Sequence, residues 1–300
     1  MTRWFATAAA VVLFSLQPLV AVDRYAATGM VLEVDPAHRT FVASIDAIQG
    51  FMPAMTMPFQ VKDPKELTGL APGAIIDFTL IVDKTASFAE LIRVRRYQNI
   101  EQDPLAARRL SLLKEIAGGA ASKALPVGAI VPDFTLTDQK YRKVTLSQFR
   151  GKVVAINFMY TTCQLPDFCL RIVNHFGVLQ KVFKSELGRD LEFLTITFDP
   201  VRDQPDVLDR YASQWKPNPE MWHFLTGSTQ DVQRVLELFG VAAFPDEGLM
   251  DHSLHTVLID RNGALFANVE GNKFSTDQLA DLTRTVLKLA TRKRQADRPR

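Results

Sequence analysis

Cysteine is nearly absent from this chain: its 300 residues contain two, Cys163 and Cys169. That scarcity excludes a scaffold stapled by several disulfides and leaves one isolated pair to explain. An excess of charge is missing too. Thirty-five basic and 33 acidic residues give a formal net charge of +2, which supplies no electrostatic footprint for nucleic acid. After the first two dozen residues no apolar run is long enough to span a bilayer. No cysteine stands near Ala21, so lipid attachment there has no acceptor.

The start of the chain carries Arg3, an apolar stretch from Trp4 to Leu16, and small residues around Ala21 and Val22. This order reads as a secretory signal peptide over residues 1–21, cleaved near Ala21, and predicts a periplasmic protein. An uncleaved leader acting as an anchor is the alternative, but an apolar stretch of about 12 to 15 residues is short for a spanning helix. In an oxidising compartment an isolated cysteine pair serves as a dithiol/disulfide couple or as a thiolate metal site. The remaining residues, 47% hydrophobic and 23% charged over the whole chain, suit a globular protein with a core, and their number suggests two domains.

The first unit, residues 24–98, contains short alternating segments at Gly29 to Val34, Thr40 to Ile45, Met55 to Val61, Ile75 to Val82 and Leu91 to Arg95. Turn material such as Asp35-Pro36, Gly50 and Pro72-Gly73 separates them, which predicts a small all-β, OB-like five-strand barrel. Residues 99–125 read as a helix from Asp103 to Ala117 followed by a Gly/Ala/Ser linker. From residue 126 to 291 strands alternate with helices. The apolar strand Val153 to Met159 precedes the cysteines, Leu191 to Phe198 follows, helices are expected at Pro205 to Trp215 and Thr229 to Phe239, and Asn262-Gly263 marks a hairpin. A last helix is expected from Thr276 to about Ala290, with residues 292–300 as a basic tail. Parallel central strands with a hairpin at one edge describe an α/β thioredoxin-like sandwich.

Six positions along a straight helix separate two residues by about 9 Å and roughly 240°, too far for a disulfide or a shared ion. The segment is therefore not straight helix. Pro166 and Asp167 suit a helix start, which places Cys163 in the loop after the strand and Cys169 in the first helical turn. A helix terminus there favours thiolate over thiol, so the pair is both nucleophilic and metal-binding. Structural disulfide, redox couple and soft-metal grip all remain open at this point.

Val131-Pro132-Asp133-Phe134, Gly151-Lys152-Val153-Val154 and Tyr160-Thr161-Thr162-Cys163 together resemble the redoxin superfamily. Within it, the Cys163 to Cys169 segment, Phe198-Asp199-Pro200 with Arg202-Asp203, Phe224-Leu225-Thr226-Gly227 and Asp251-His252-Ser253 resemble the Sco/SenC family of copper-handling proteins. The resemblance implies copper, Cu(I) or Cu(II), held by Cys163, Cys169 and His252. It also implies delivery of copper to the dinuclear copper centre of a respiratory oxidase subunit, or reduction of that centre's cysteines before loading. Most members place three residues between the cysteines; this chain has five. Two thiolates and an imidazole form a soft, low-coordinate set suited to copper, and zinc would accept it with a fourth ligand. Asp199 is either a partner that orients the site or a turn former with Pro200. His255 stands three residues beyond His252 as a weaker candidate ligand, and His38, His175 and His223 read as structural.

Two other functions compete. One is a thiol-disulfide oxidoreductase or peroxiredoxin-like reductase, with Cys163 attacking and Cys169 resolving. The other is a copper-tolerance buffer without a client. In the first unit, Met52-Pro53-Ala54-Met55-Thr56-Met57 gathers three of the eight methionines, and Met55 and Met57 share one face of a strand. Thioethers suit Cu(I) and pack equally well into a core. Pro53 to Met57 within a five-strand unit resembles the CusF-like periplasmic copper-binding domain, which implies a second copper site at Met55 and Met57 with Met52 as a third sulfur. That family adds a histidine and a tryptophan; here Met52 takes the tryptophan's place, and Ala43 or Ser44 falls near the histidine's.

Overall fold

The computed structural model describes residues 23–83, 87–95, 124–163, 166–246 and 249–296. The leader at 1–21, the helix expected within 99–125 and the last residues of the basic tail lie outside these.

Five strands form the N-terminal unit: β1 (Asp23–Asp35), β2 (Thr40–Ile45), β3 (Met55–Val61), β4 (Ile75–Val82) and β5 (Ser87–Val94). They close into a barrel in the order β1-β2-β3-β5-β4, with β3 and β5 parallel and every other pair antiparallel. Alternation turns Phe41, Phe59, Val61, Ile76, Phe78 and Leu80 inward, and Phe41, Phe59 and Phe78 stack or meet edge to face in the middle. β1 is longer than the alternating segment read from sequence, because its first residues pair with β4 while its last pair with β2.

The C-terminal unit is built on a seven-stranded sheet. Its strands are β6 (Thr135–Asp138), β7 (Lys143–Thr145), β8 (Val153–Met159), β9 (Leu191–Thr197), β10 (Trp222–Thr226), β13 (His255–Ile259) and β14 (Leu265–Glu270), in the order β14-β13-β8-β9-β10-β6-β7. β8, β9 and β10 run parallel and are buried along their whole length, hence their near-continuous apolar runs. Helices α1 (Arg171–Val182) and α4 (Thr276–Ala296) pack on each other and on β8, while α2 (Pro205–Ala212) lies on β10 and α3 (Thr229–Leu238) on β6. A separate two-stranded ribbon, β11 (Ala243–Asp246) and β12 (Leu249–His252), was not read from the sequence. α4 continues to Ala296, so much of the segment expected as a frayed basic tail is helical.

The barrel keeps its own core and also contributes to that of the sheet domain. Met30, Leu32 and Ile75 of the barrel belong to the buried cluster of the sheet domain. Gly73, in the loop before β4, has φ +87°, and a Cβ there would stand 2.8 Å from a Val269 methyl and 3.2 Å from the Ala267 Cβ on β14. Asp281 on α4 accepts from the hydroxyls of Ser44 (2.8 Å) and Thr56 (2.7 Å), and the Gln278 amide donates to the Ser44 carbonyl and to Asp46. Among the described residues no helix is long and apolar enough to cross a membrane.

Candidate metal and redox centre

β8 ends at Met159, and the chain turns through Tyr160 to Cys163, whose amide donates to the Tyr160 carbonyl (3.3 Å). Cys163 is half-buried at this loop. Pro166–Leu170 form a widened turn that breaks at Phe168 (φ −109°, ψ −115°), and regular α-helix begins only at Arg171. Cys169 thus lies in a helical first turn, as the sequence suggested, but in a widened and kinked one ahead of the regular α-helix. Pro166 opens the widened turn, which folds the second thiol inward.

Cys169 is fully buried, and both cysteines are thiols. Burial pushes the Cys169 thiol well above its ordinary range, and the hydrogen bond with Cys163 pushes in the same direction. The thiolate preference expected from a helix terminus is therefore reversed at Cys169. Desolvation dominates because the widened turn does not present a regular helix N-terminus to the sulfur.

The imidazole arrives from the ribbon. His252 closes β12, and the following residues are held by Ser253 N to the Ala242 carbonyl and Ala242 N to the Ser253 hydroxyl, both 2.9 Å. His252 Nδ1 lies 3.3 Å from the Ser253 carbonyl. A carbonyl can only accept, so Nδ1 carries the proton and Nε2 presents its lone pair. That Nε2 stands 3.5 Å from Cys169 Sγ. The sulfurs of Cys163 and Cys169 and a ring nitrogen of His252 all lie within 4.8 Å of one another. Phe198, Tyr160 and Phe168 wall the imidazole, with ring centroids 4.5, 5.7 and 6.5 Å away. These apolar rings limit water at the donor atoms.

The other residues named from sequence separate from this cluster. The Asp199 carboxylate pairs with Arg202 (3.1 Å). Its neighbour Asp203, 1% exposed, instead reaches the cysteine loop: it accepts from the Thr161 amide (3.1 Å), the Thr161 hydroxyl and the Thr197 hydroxyl. Burial raises the pKa of Asp203 against the lowering effect of those hydroxyls. His255 bonds Asn268 (2.8 Å), His223 lies beside Asp138, and His175 is within 2.5 Å of the Thr276 hydroxyl; His38 is exposed and pairs with Asp35.

In the barrel, Met55 and Met57 stand two apart on the inward-facing side of β3, opposite Ile45 and Ala43 of β2. Met57 and Met52 are half-buried against the barrel core, and Met55 is 44% exposed at its rim. Met52 closes a short loop by exchanging backbone hydrogen bonds with Ile48. Thr56, between the two strand methionines, faces Asp281.

A thioredoxin-like sheet that gathers two thiols and an imidazole at the end of its parallel strands defines a protein of thiol-based metal handling or redox exchange. The sequence model of the SCO1/SenC family matches residues 122–288, more than half of the chain, and the chain belongs to that family. Residues 24–94 match the model described as copper binding periplasmic protein CusF, and form a CusF-like N-terminal domain. Among curated relatives, the SCO1 protein homolog of Bacillus subtilis is 29% identical over 119 residues, 40% of this chain and 58% of its own length. The mitochondrial SCO2 homolog of Mus musculus is 32% identical over 161 residues, 51% of this chain and 60% of its own. The chain spans about three fifths of the length of the curated relatives it matches. Among solved structures, that of Bradyrhizobium japonicum ScoI with copper bound is 28% identical and covers 52% of this chain and 99% of its own, with a TM-score of 0.45.

Proposed function

We propose that this protein is a periplasmic copper metallochaperone that holds copper through Cys163, Cys169 and His252. The observation that carries the reading is the convergence of those three donor atoms within 4.8 Å from a loop, a widened turn and a ribbon end. Two sulfurs and one imidazole nitrogen suit Cu(I), and the aromatic wall disfavours the added water that a harder ion would demand. Binding displaces the thiol protons, so uptake and release are coupled to proton exchange. A relative whose structure holds copper, ScoI of Bradyrhizobium japonicum, supports the choice of ion.

Release follows from the same pair. When the Cys163 and Cys169 thiolates form a disulfide they give two electrons to a client's disulfide, which takes up two protons from solvent and becomes a dithiol ready for metal, and the site loses both of its sulfur ligands, releasing Cu(I) with its oxidation state unchanged. The client in this reading is an oxidase subunit whose dinuclear copper centre needs both copper and reduced cysteines. A solved structure of BsSco, described as a member of the Sco family of cytochrome c oxidase assembly proteins with a disulfide switch, supports this direction. Met55 and Met57, with Met52, form a second, thioether site that buffers Cu(I) in the barrel. Secretion by the leader at 1–21, cleaved or kept as an anchor, brings the protein to the compartment named for the CusF-like domain.

Anaerobic titration with Cu(I) against a competing chelator tests the reading. The intact protein takes one tightly held Cu(I) that Cys163→Ser, Cys169→Ser and His252→Ala each weaken, while Met55→Leu/Met57→Leu removes a second, weaker equivalent. Full retention of the tight equivalent in Cys163→Ser would refute it.

A further inference from the structure

The described part of the spacer between the cysteines, from Pro166 on, is a widened, kinked turn and not regular α-helix. Five residues separate Cys163 from Cys169, the turn breaks at Phe168, and the i→i−4 bonds of α1 start only beyond it. A kinked turn fixes its ends less tightly than a regular helix, so contacts from other elements can set the gap between the two sulfurs. Two buried polar side chains on separate elements do this.

Asn272, 5% exposed in the connection between β14 and α4, donates its Nδ2 proton to the carbonyl of Asp167. Asp167 lies two residues before Cys169. On the other side, Asp203 in the loop before α2 accepts from the amide and hydroxyl of Thr161, which lies two residues before Cys163. The side chains of both anchors bond backbone and hydroxyl groups of the cysteine segment and of β9. The arrangement is reciprocal: each cysteine is carried on a backbone pinned two positions upstream by a group from a distant part of the chain.

We infer that Asn272 and Asp203 are positioning residues that fix the distance between the Cys163 and Cys169 sulfurs across the lengthened spacer, and with it both copper affinity and the dithiol/disulfide equilibrium. The copper half of this inference rests on the function proposed above; the disulfide half does not. Removing either anchor widens the range of sulfur separations, which lowers the effective concentration of one thiol at the other. Metal chelation and disulfide closure then weaken together, with no ligand removed.

The test uses the full chain. Asn272→Asp keeps the shape and removes the donor, Asn272→Gln keeps the amide, and Asp203→Asn keeps the shape while replacing one acceptor oxygen by a donor. The thiol–disulfide equilibrium of each metal-free protein is measured in glutathione buffers by counting alkylated thiols, and Cu(I) affinity is measured separately by competition. Asn272→Asp and Asp203→Asn are expected to lower the disulfide equilibrium constant about tenfold, a shift of about 30 mV toward a more easily reduced bridge. Each also lowers Cu(I) affinity about tenfold, and Asn272→Gln recovers part of both losses. A purely structural role would lower the unfolding midpoint and leave the potential of the folded protein unchanged, and that result would overturn the inference. If a variant does not fold, the other anchor's variant decides by the same readout. A shifted disulfide equilibrium with no Cu(I) binding in any protein, wild type included, would sink the copper reading and leave the positioning role standing.

Discussion

The Nε2 of His252 lies 3.5 Å from the Sγ of Cys169, across 83 residues of sequence. Because Nδ1–H donates to the Ser253 carbonyl, Nε2 faces the sulfur with its lone pair. His252→Ala is therefore expected to weaken Cu(I) binding by roughly a hundredfold, at or beyond the upper range for loss of an orienting partner. Competition titration reads the change, with the thiol count unchanged. An affinity equal to wild type would place the imidazole outside the coordination set.

The two thiols differ in access. Cys169 is fully buried, with its thiol pushed up by desolvation, while Cys163 is half-buried at the loop. Limiting iodoacetamide on the reduced, metal-free protein modifies Cys163 first, at least about tenfold faster, because thiolate fraction and exposure act together. Peptide mass analysis over time reads the order. Equal rates would contradict the burial assigned to Cys169.

Much of the architecture was legible before the fold. The buried run Val153 to Met159, the Asn262-Gly263 turn and the alternation from Thr40 to Val61 follow from periodicity and turn chemistry, which are local. The site was legible only in part. Cys163 and Cys169 stand out by scarcity, but His252 entered through resemblance, since no local pattern brings an imidazole to a thiol 83 residues away. Asp203 was quoted as part of a motif with no role, and Asn272 was not singled out at all. Their partners are a backbone amide and a backbone carbonyl, which leave no mark in sequence. Pro166 and Asp167 do open a helical turn, but the kink at Phe168 that widens it and delays regular α-helix to Arg171 has no signal in the sequence.

Gly73 joins the two units. Gly73→Ala meets both the strain of a positive φ, about 1–2 kcal/mol, and the Val269 and Ala267 side chains, for a further 1–3 kcal/mol. Gly69→Ala is the matched control, with φ +79° and nothing within 4 Å of the added carbon. Chemical denaturation is expected to show a clearly larger loss for Gly73→Ala, together with a broadened transition as the barrel and the sheet domain lose their shared contacts. Equal losses would mean that the barrel is not seated on β14.

His175 makes stability depend on pH. Desolvation, aided by Arg171, lowers its folded pKa to about 4, against an ordinary value near 6.5. Between these values the unfolded chain binds more protons, so stability rises with pH across the window and falls on acidification from about 6.5 toward 4, by about 3 kcal/mol in all. His175→Gln flattens that component. An identical pH slope in the variant would show that other groups carry it.

The most direct test of the account is copper K-edge absorption of a Met52→Leu/Met55→Leu/Met57→Leu protein loaded anaerobically with one equivalent of Cu(I). The expected spectrum contains two sulfur scatterers and one imidazole, and the imidazole component disappears in the same protein carrying His252→Ala. A spectrum with fewer than two sulfurs, or one unchanged by loss of His252, would contradict a centre made of Cys163, Cys169 and His252.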